Sequence, residues 1–382
     1  MTATGAAGGD GSEAWAAEQI AAIRAAGRWR EVRTFDARGP VGRLGGREVV
    51  SFASNDYLGL SFHPAVIAAA HAALDRWGAG ATASRLIVGS RPVHAELEAE
   101  LSDWKQTERA LLFPTGYAAN LGVLAGLGGP DCLIVSDELN HASIIDGCRL
   151  SRSPVAVARH NDVDHVDRLL GTASVPRKMV VVDAVFSMDG DEADIAALGE
   201  RCARHGALLV IDEAHAVLGP SPAPLAGVEH LQVLRVVTLS KALGTVGGAV
   251  CGSAPFIDLL VNRARPFIFT TGPAPADAAA ALEAIRITRG PEGDALVARL
   301  RRFVDRLRPG HRSPIIPIVV GSEALALQAA EGLLAEGFLV PAIRPPTVPP
   351  GTSRLRIALS AAHSEDILDR LRGALAALGL RP

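Results

Sequence analysis

Residues 178–212 read KMVVVDAVFSMDGDEADIAALGERCARHGALLVID. Two apolar runs, KMVVVDA (178–184) and ALLVID (207–212), flank a helical stretch, ADIAALGERCARHG. The runs are continuous where a half-exposed strand would alternate, which is the pattern of strands buried on both faces. Strand, helix and strand in that order predict parallel neighbours joined by a crossover helix. The pattern extends outward in both directions. RALLF (109–113), CLIVS (132–136) and PVAVA (154–158) precede it, and RVVTLS (235–240) and GAVCGS (248–253) follow, with helical stretches such as YAANLGVLAGL and DVDHVDRLL between. The class is α/β, built on a large, mostly parallel, seven-stranded sheet. After residue 273 come a long helix (ADAAAALEAIRITR), then SPIIPIVV, EALALQAAEGLLAEG, TSRLRIALS and a final helix, which together read as a smaller α+β domain. The expected division is an N-terminal tail and helical segment over 1–50, a large domain over 51–275 and a small C-terminal domain over 276–382.

A chain of 382 residues can bury a large core, and a net charge of −3 makes no electrostatic case for nucleic acid or an anionic membrane. No apolar run reaches membrane-spanning length, and the N-terminus lacks the basic start and apolar stretch of a secretory signal. Four scattered cysteines without C-x-x-C spacing read as isolated buried thiols, which fits a cytoplasmic location. Two motifs mislead. Asp212–His215 spells DEAH, but none of the three lysines follows a glycine, so the phosphate loop of an NTP-driven enzyme is missing. GAGATA (78–83) mimics a dinucleotide fingerprint yet follows a helix, where the fingerprint would open one.

Of 38 basic residues only Lys105, Lys178 and Lys241 are lysine. Lys105 and Lys178 sit in polar stretches that suit a solvated ammonium. Lys241 lies in TLSKALG (238–244), between apolar runs. Ligands of open α/β sheets bind beyond the carboxyl ends of the strands. Lys241, Asp212, Ser187, and the group Asp137, Asn140, His141 and Ser143 all fall at such ends. Read singly, Asp212 could cap a helix and His141 could be a satisfied core histidine. Read together, a desolvated amine and a carboxylate on a neighbouring strand end meet two demands of pyridoxal phosphate chemistry. FPTGYAAN (113–120) meets the third, with a strand, a glycine turn and a helix N-terminus suited to a phosphate.

FASNDYLGL (52–60), GAGATASRLIVG (78–89), FPTGYAAN, DELNHAS (137–143), FSMDGD (186–191), DEAH, TLSKALG and RPPTVPPGTSRLR (344–356) resemble the α-oxoamine synthases, fold-type I pyridoxal phosphate enzymes with an aminotransferase-like fold. The resemblance spans roughly residues 20 to 380. It implies that Lys241 carries the cofactor as a Schiff base and moves the substrate proton, that Asp212 pairs with the ring nitrogen, and that His141 stacks on the ring. It further implies cofactor contacts from Gly116, Tyr117, Ser187, Thr238 and His215, the last to the ring hydroxyl. Thr270 and Thr271 would reach the phosphate of a partner chain, so the working unit would be a homodimer with shared sites. Otherwise these threonines would cap the helix starting near Ala274. Asn55 and Arg356 would bind the amino-acid carboxylate, with Arg354 as rival because residues two apart on a strand share a face. Arg30 and Thr347 would contact the acyl substrate.

The segment over 344–356 is most similar to that of members condensing L-alanine with a pimeloyl thioester, carried on CoA or on an acyl carrier protein. The rival is a sister enzyme joining glycine to a short acyl-CoA, and a non-catalytic scaffold would have been free to lose Lys241, Asp212 and His141. No metal is implied. Ala83, Ala216 and Phe269 depart from residues common among relatives, and none of them touches the lysine.

Overall fold

The computed structural model describes residues 10–218, 225 and 227–382. The seven expected strands form one sheet: β1 (Arg109–Phe113), β2 (Cys132–Asp137), β3 (Val155–Ala158), β4 (Arg177–Asp183), β5 (Leu208–Asp212), β6 (Gln232–Thr238) and β7 (Gly248–Gly252). Their order is β1-β7-β6-β5-β4-β2-β3, and only β7 runs against its neighbours. The continuous apolar runs are explained by burial of both faces. Ile134, Val181, Val210 and Val236 pack under one layer of helices, while Val135, Val180, Val182 and Ile211 pack under the other. Where β7 begins, a Cβ on Gly248 would lie 2.5 Å from the backbone nitrogen of Gly116, so only glycine lets this strand approach the start of the next helix.

A three-stranded antiparallel sheet, ordered Ile315–Gly321, Ser353–Ala358, Ala342–Ile343, carries the C-terminal part with helices Pro291–Leu307, Glu323–Ala335 and Glu365–Ala377. Two features differ from the sequence reading. Residues 1–50 were expected to hold only tail and helix, but after helix Asp10–Ala25 come strands Phe35–Ala37, Val41–Leu44 and Arg47–Ser51. The last of these pairs with Phe338–Leu339, tying the start of the chain to its C-terminal part. Strands of three to five residues, mostly exposed on one side, leave no long apolar run to read. The helix Pro275–Thr288 also packs on Pro64–Trp77 and Pro92–Trp104, burying Ala278, Ala281, Ala284 and Ile285, so the large body continues past residue 275. Among the described residues, no helix is long and apolar enough to cross a membrane. All four cysteines are buried free thiols.

Candidate active site

Parallel β4 and β5 place Asp183 directly beside Asp212 at the carboxyl edge of the sheet. β6 ends one strand further on at Thr238, and the turn that follows presents Lys241. That turn is closed by Leu239 N–H to Gly247 O and Gly244 N–H to Lys241 O, 3.0 and 2.9 Å. A cavity of about 220 Å³ opens there, lined by Gly116, Tyr117, Asn120, His141, Ser187, Asp212, His215, Thr238 and Lys241. Nine of the residues singled out from sequence, Ser143 included, therefore share one site. A larger cleft of about 1100 Å³ runs along Asp189–Ala196, Arg308–Arg312 and Arg381, and contains none of them.

The charges in this cavity are few and buried. Asp212 is 5% exposed; its carboxylate accepts from Asn120 Nδ2 at 2.7 Å and from the Ala214 N–H at 2.9 Å. Burial, and then the adjacent Asp212, push the Asp183 carboxyl well above the usual range. Its Oδ2 accepts from the His141 N–H at 2.7 Å. Burial lowers the Lys241 amine, opposed by Asp212 and Asp183, and Nζ lies 2.8 Å from His215 Nε2. The sequence places nothing acidic near Lys241; the fold supplies two carboxylates.

Burial also lowers His141, whose Nδ1 caps helix Ala142–Ser151 by accepting from Ser143 N–H at 3.3 Å and meets Ser143 Oγ at 2.7 Å. The imidazole is thus satisfied by its own helix, as a core histidine would be, and still lines the cavity. Tyr117 stands edge-on to that imidazole, 6.3 Å between centroids.

These residues fit pyridoxal phosphate. A buried primary amine and a buried carboxylate face one space, and the buried Asn120 Oδ1 has no partner among the described residues. At the start of helix Gly116–Leu127, Thr115 takes up the N–H of Ala118 and Ala119. The N–H groups of Gly116 and Tyr117 have no partner among the described residues and are free to meet a phosphate.

Beside the cavity, Arg356 donates from Nε to the Ser187 carbonyl at 2.5 Å and from Nη2 to Asn55 Oδ1 at 3.2 Å. Arg354 is engaged elsewhere by an ion pair with Asp189. Both arginines lie on Ser353–Ala358, yet only Arg356 is joined to Asn55. Other expected residues lie apart. Thr270 and Thr271 are exposed, so in the single chain no buried hydroxyl has to be satisfied, and the helix they were expected to cap takes Ala274 as its N-cap with no side-chain bond. Thr271 bridges to Ser84, and Gly272 N–H donates to Ala83 O. Arg30 and Thr347 are exposed and outside the cavity; Arg344, three residues before Thr347, donates to Gly27 O at 2.6 Å and brings their two segments together.

Lys105, expected to be solvated, is 4% exposed and pairs with Glu213 at 2.7 Å, with Arg235 on the same carboxylate. Sequence reasoning also missed Tyr57, Asn120 and Asp183. Tyr57 and Asn120 lie inside quoted motifs, but their roles depend on partners remote in sequence.

A family model described as aminotransferase class I and II matches residues 47–375. An 8-amino-7-oxononanoate synthase of Anaeromyxobacter dehalogenans (strain 2CP-1 / ATCC BAA-258) is 49% identical over 95% of each chain. Serine palmitoyltransferase of Sphingomonas wittichii superposes with a TM-score of 0.88 at 33% identity, covering 99% of this chain and 100% of that one. The high-resolution structure of SPT with a PLP internal aldimine gives 0.87 at 29%, covering 96% and 98%. The chain belongs to the aminotransferase class I and II family. Within it, this is an α-oxoamine synthase of fold-type I, an acyltransferase that depends on pyridoxal phosphate.

Proposed function

We propose that the enzyme condenses L-alanine with a pimeloyl thioester, releasing 8-amino-7-oxononanoate, CO2 and the free thiol carrier, in the cytoplasm. The observation that carries this reading is the convergence of Lys241, Asp212 and His141 on one cavity beside the Arg356–Asn55 pair. The 49% identity to an 8-amino-7-oxononanoate synthase supports the acyl assignment over the 33% to a serine palmitoyltransferase.

Gly116, Tyr117, His141, Ser187, Asp212, His215, Thr238 and Lys241 would hold pyridoxal phosphate, which when bound supplies an electron sink for the pair left at the amino acid's Cα. Asp212 is buried and held by two donors, so its carboxylate keeps one orientation and can pair with a ring nitrogen. Lys241, its basicity reduced by burial, takes the Cα proton of L-alanine as a general base and returns a proton to the product. Arg356, locked by Ser187 and Asn55, binds the alanine carboxylate and sets which Cα bond faces Lys241. His141 lines the cavity and would pack against the group held there.

Arg30 and Thr347 would meet the acyl chain, whose carrier is CoA or an acyl carrier protein. Thr270 and Thr271 would complete a partner's site in a homodimer. An apolar rim supports that pairing: Leu86, Ile87, Val88 and Phe269 are 49%, 74%, 63% and 69% exposed on the segments that Thr271 and Ser84 join. The test compares L-alanine, glycine and L-serine as the amino acid that perturbs the cofactor absorbance, followed by thiol release from pimeloyl-CoA. Preference for glycine or serine, or no thiol release with alanine, would reject the assignment.

A further inference from the structure

Tyr57 is fully buried, and its hydroxyl has neighbours that decide where its single hydrogen goes. The deduction starts at Arg356, whose guanidinium can only donate. Nη2 lies 3.2 Å from the Asn55 side chain, so the atom facing it is Oδ1. That same oxygen is 3.1 Å from the Tyr57 hydroxyl and can only accept, so it takes the phenol hydrogen. His215 Nδ1, 2.6 Å from the Tyr57 oxygen, is then left to donate. A neutral imidazole carries one N–H, so Nε2 keeps its lone pair and accepts from Lys241 Nζ at 2.8 Å.

We infer that Tyr57 is a positioning residue which, oriented by Arg356 and Asn55, holds His215 with its hydrogen on Nδ1 and an acceptor nitrogen turned to Lys241. Two further observations agree. Burial keeps the His215 ring neutral by holding its pKa well below the usual value. Burial pushes Tyr57 up to about 12, outweighing the adjacent Arg356, so the phenol keeps its hydrogen. The plain alternative is that Tyr57 only fills the core beneath the cavity. In that case the bonds at its hydroxyl are incidental, and the ring alone suffices.

The inference holds whichever amino acid and thioester the enzyme takes, because it concerns hydrogens within the chain. The test uses the full-length chain stripped of cofactor and labelled with ¹⁵N-histidine. The His215 signals are assigned by difference from His215→Gln, and the ring nitrogens report the tautomer directly. In parallel, the pH midpoint of Lys241 reactivity is read by amine labelling and mass spectrometry of its peptide. The wild-type protein is expected to show the Nδ1–H form. Tyr57→Phe keeps the ring but frees Nδ1, and Asn55→Ala returns the phenol hydrogen to Nδ1; both shift His215 toward the Nε2–H form. A donor then faces Lys241, its neutral amine gains a partner, and the labelling midpoint falls by about half to one pH unit. An Nε2–H wild type, or a folded variant with unchanged tautomer and midpoint, would overturn the inference. Two variants and the wild-type measurement keep it decidable if one substitution fails to fold.

Discussion

Asp212→Asn tests the site most sharply because the structure separates its chemical effect from its structural one. The substituted amide keeps one oxygen for the Ala214 N–H but turns an NH2 toward Asn120 Nδ2, the donor 2.7 Å away. A buried polar group left unpaired costs about 1–3 kcal/mol. Here Asn120 has a partial remedy: its buried Oδ1 has no partner among the described residues, and a flipped amide offers that oxygen to the new NH2 while giving up the bond from Nδ2 to Ser143 Oγ at 2.9 Å. Removing the charge also relieves Asp183, raised in part by Asp212. The structural cost should therefore sit at about 1–3 kcal/mol, a modest loss of melting temperature. The chemical cost is larger, because an amide cannot keep a ring nitrogen protonated. Electrostatic and acid–base contributions of this kind are worth ~10²–10⁴-fold in rate, or about 3–5 kcal/mol of barrier. Thiol release at saturating cofactor, measured beside a melting curve, reads both quantities. A folded, cofactor-saturated variant within tenfold of wild type would refute the pairing of Asp212 with the ring.

Three further outcomes are expected. Arg356→Ala should raise KM for L-alanine about tenfold to a hundredfold, the worth of a charge-assisted bond, whereas Arg354→Ala should mainly lower the melting temperature by releasing Asp189; equal KM effects would contradict the assignment. Mixing Lys241→Ala chains with Thr271→Val chains should regenerate one intact site per mixed dimer. If heterodimers form without recovering activity, and Thr271→Val alone is impaired, the threonine serves its own chain. His160 is raised to about 10 because Asp137 and Asp191 accept from both ring nitrogens. Its contribution is then fully present below the ordinary histidine value of 6.5 and lost as pH rises through 10. The difference in urea midpoint between wild type and His160→Gln should shrink from pH 6 to pH 10, and a constant difference would contradict the bridge.

The parts of this protein legible in its sequence are those set by local pattern. Seven runs of Val, Ile and Leu marked the sheet because a parallel strand covered on both faces has no polar side to interrupt it. The ends of those runs marked Lys241, Asp212, Ser187 and His141, since strand direction alone places them on one edge. The isolated lysine in an arginine-rich chain pointed to an amine that arginine cannot replace. What stayed hidden depends on partners that only folding brings together. Asn120 meets Asp212 across 92 residues, Tyr57 meets His215 across 158, and Arg356 meets Asn55 across 301. No periodicity records such pairs, because each is made by two rigid elements whose relative position the whole core decides. Lys105 shows the same limit from the other side: a polar stretch gave no sign that Glu213 and Arg235 would be buried with it. Arg354 and Arg356 share a strand and a face, and only the surroundings, Asp189 for one and Asn55 with Ser187 for the other, tell them apart.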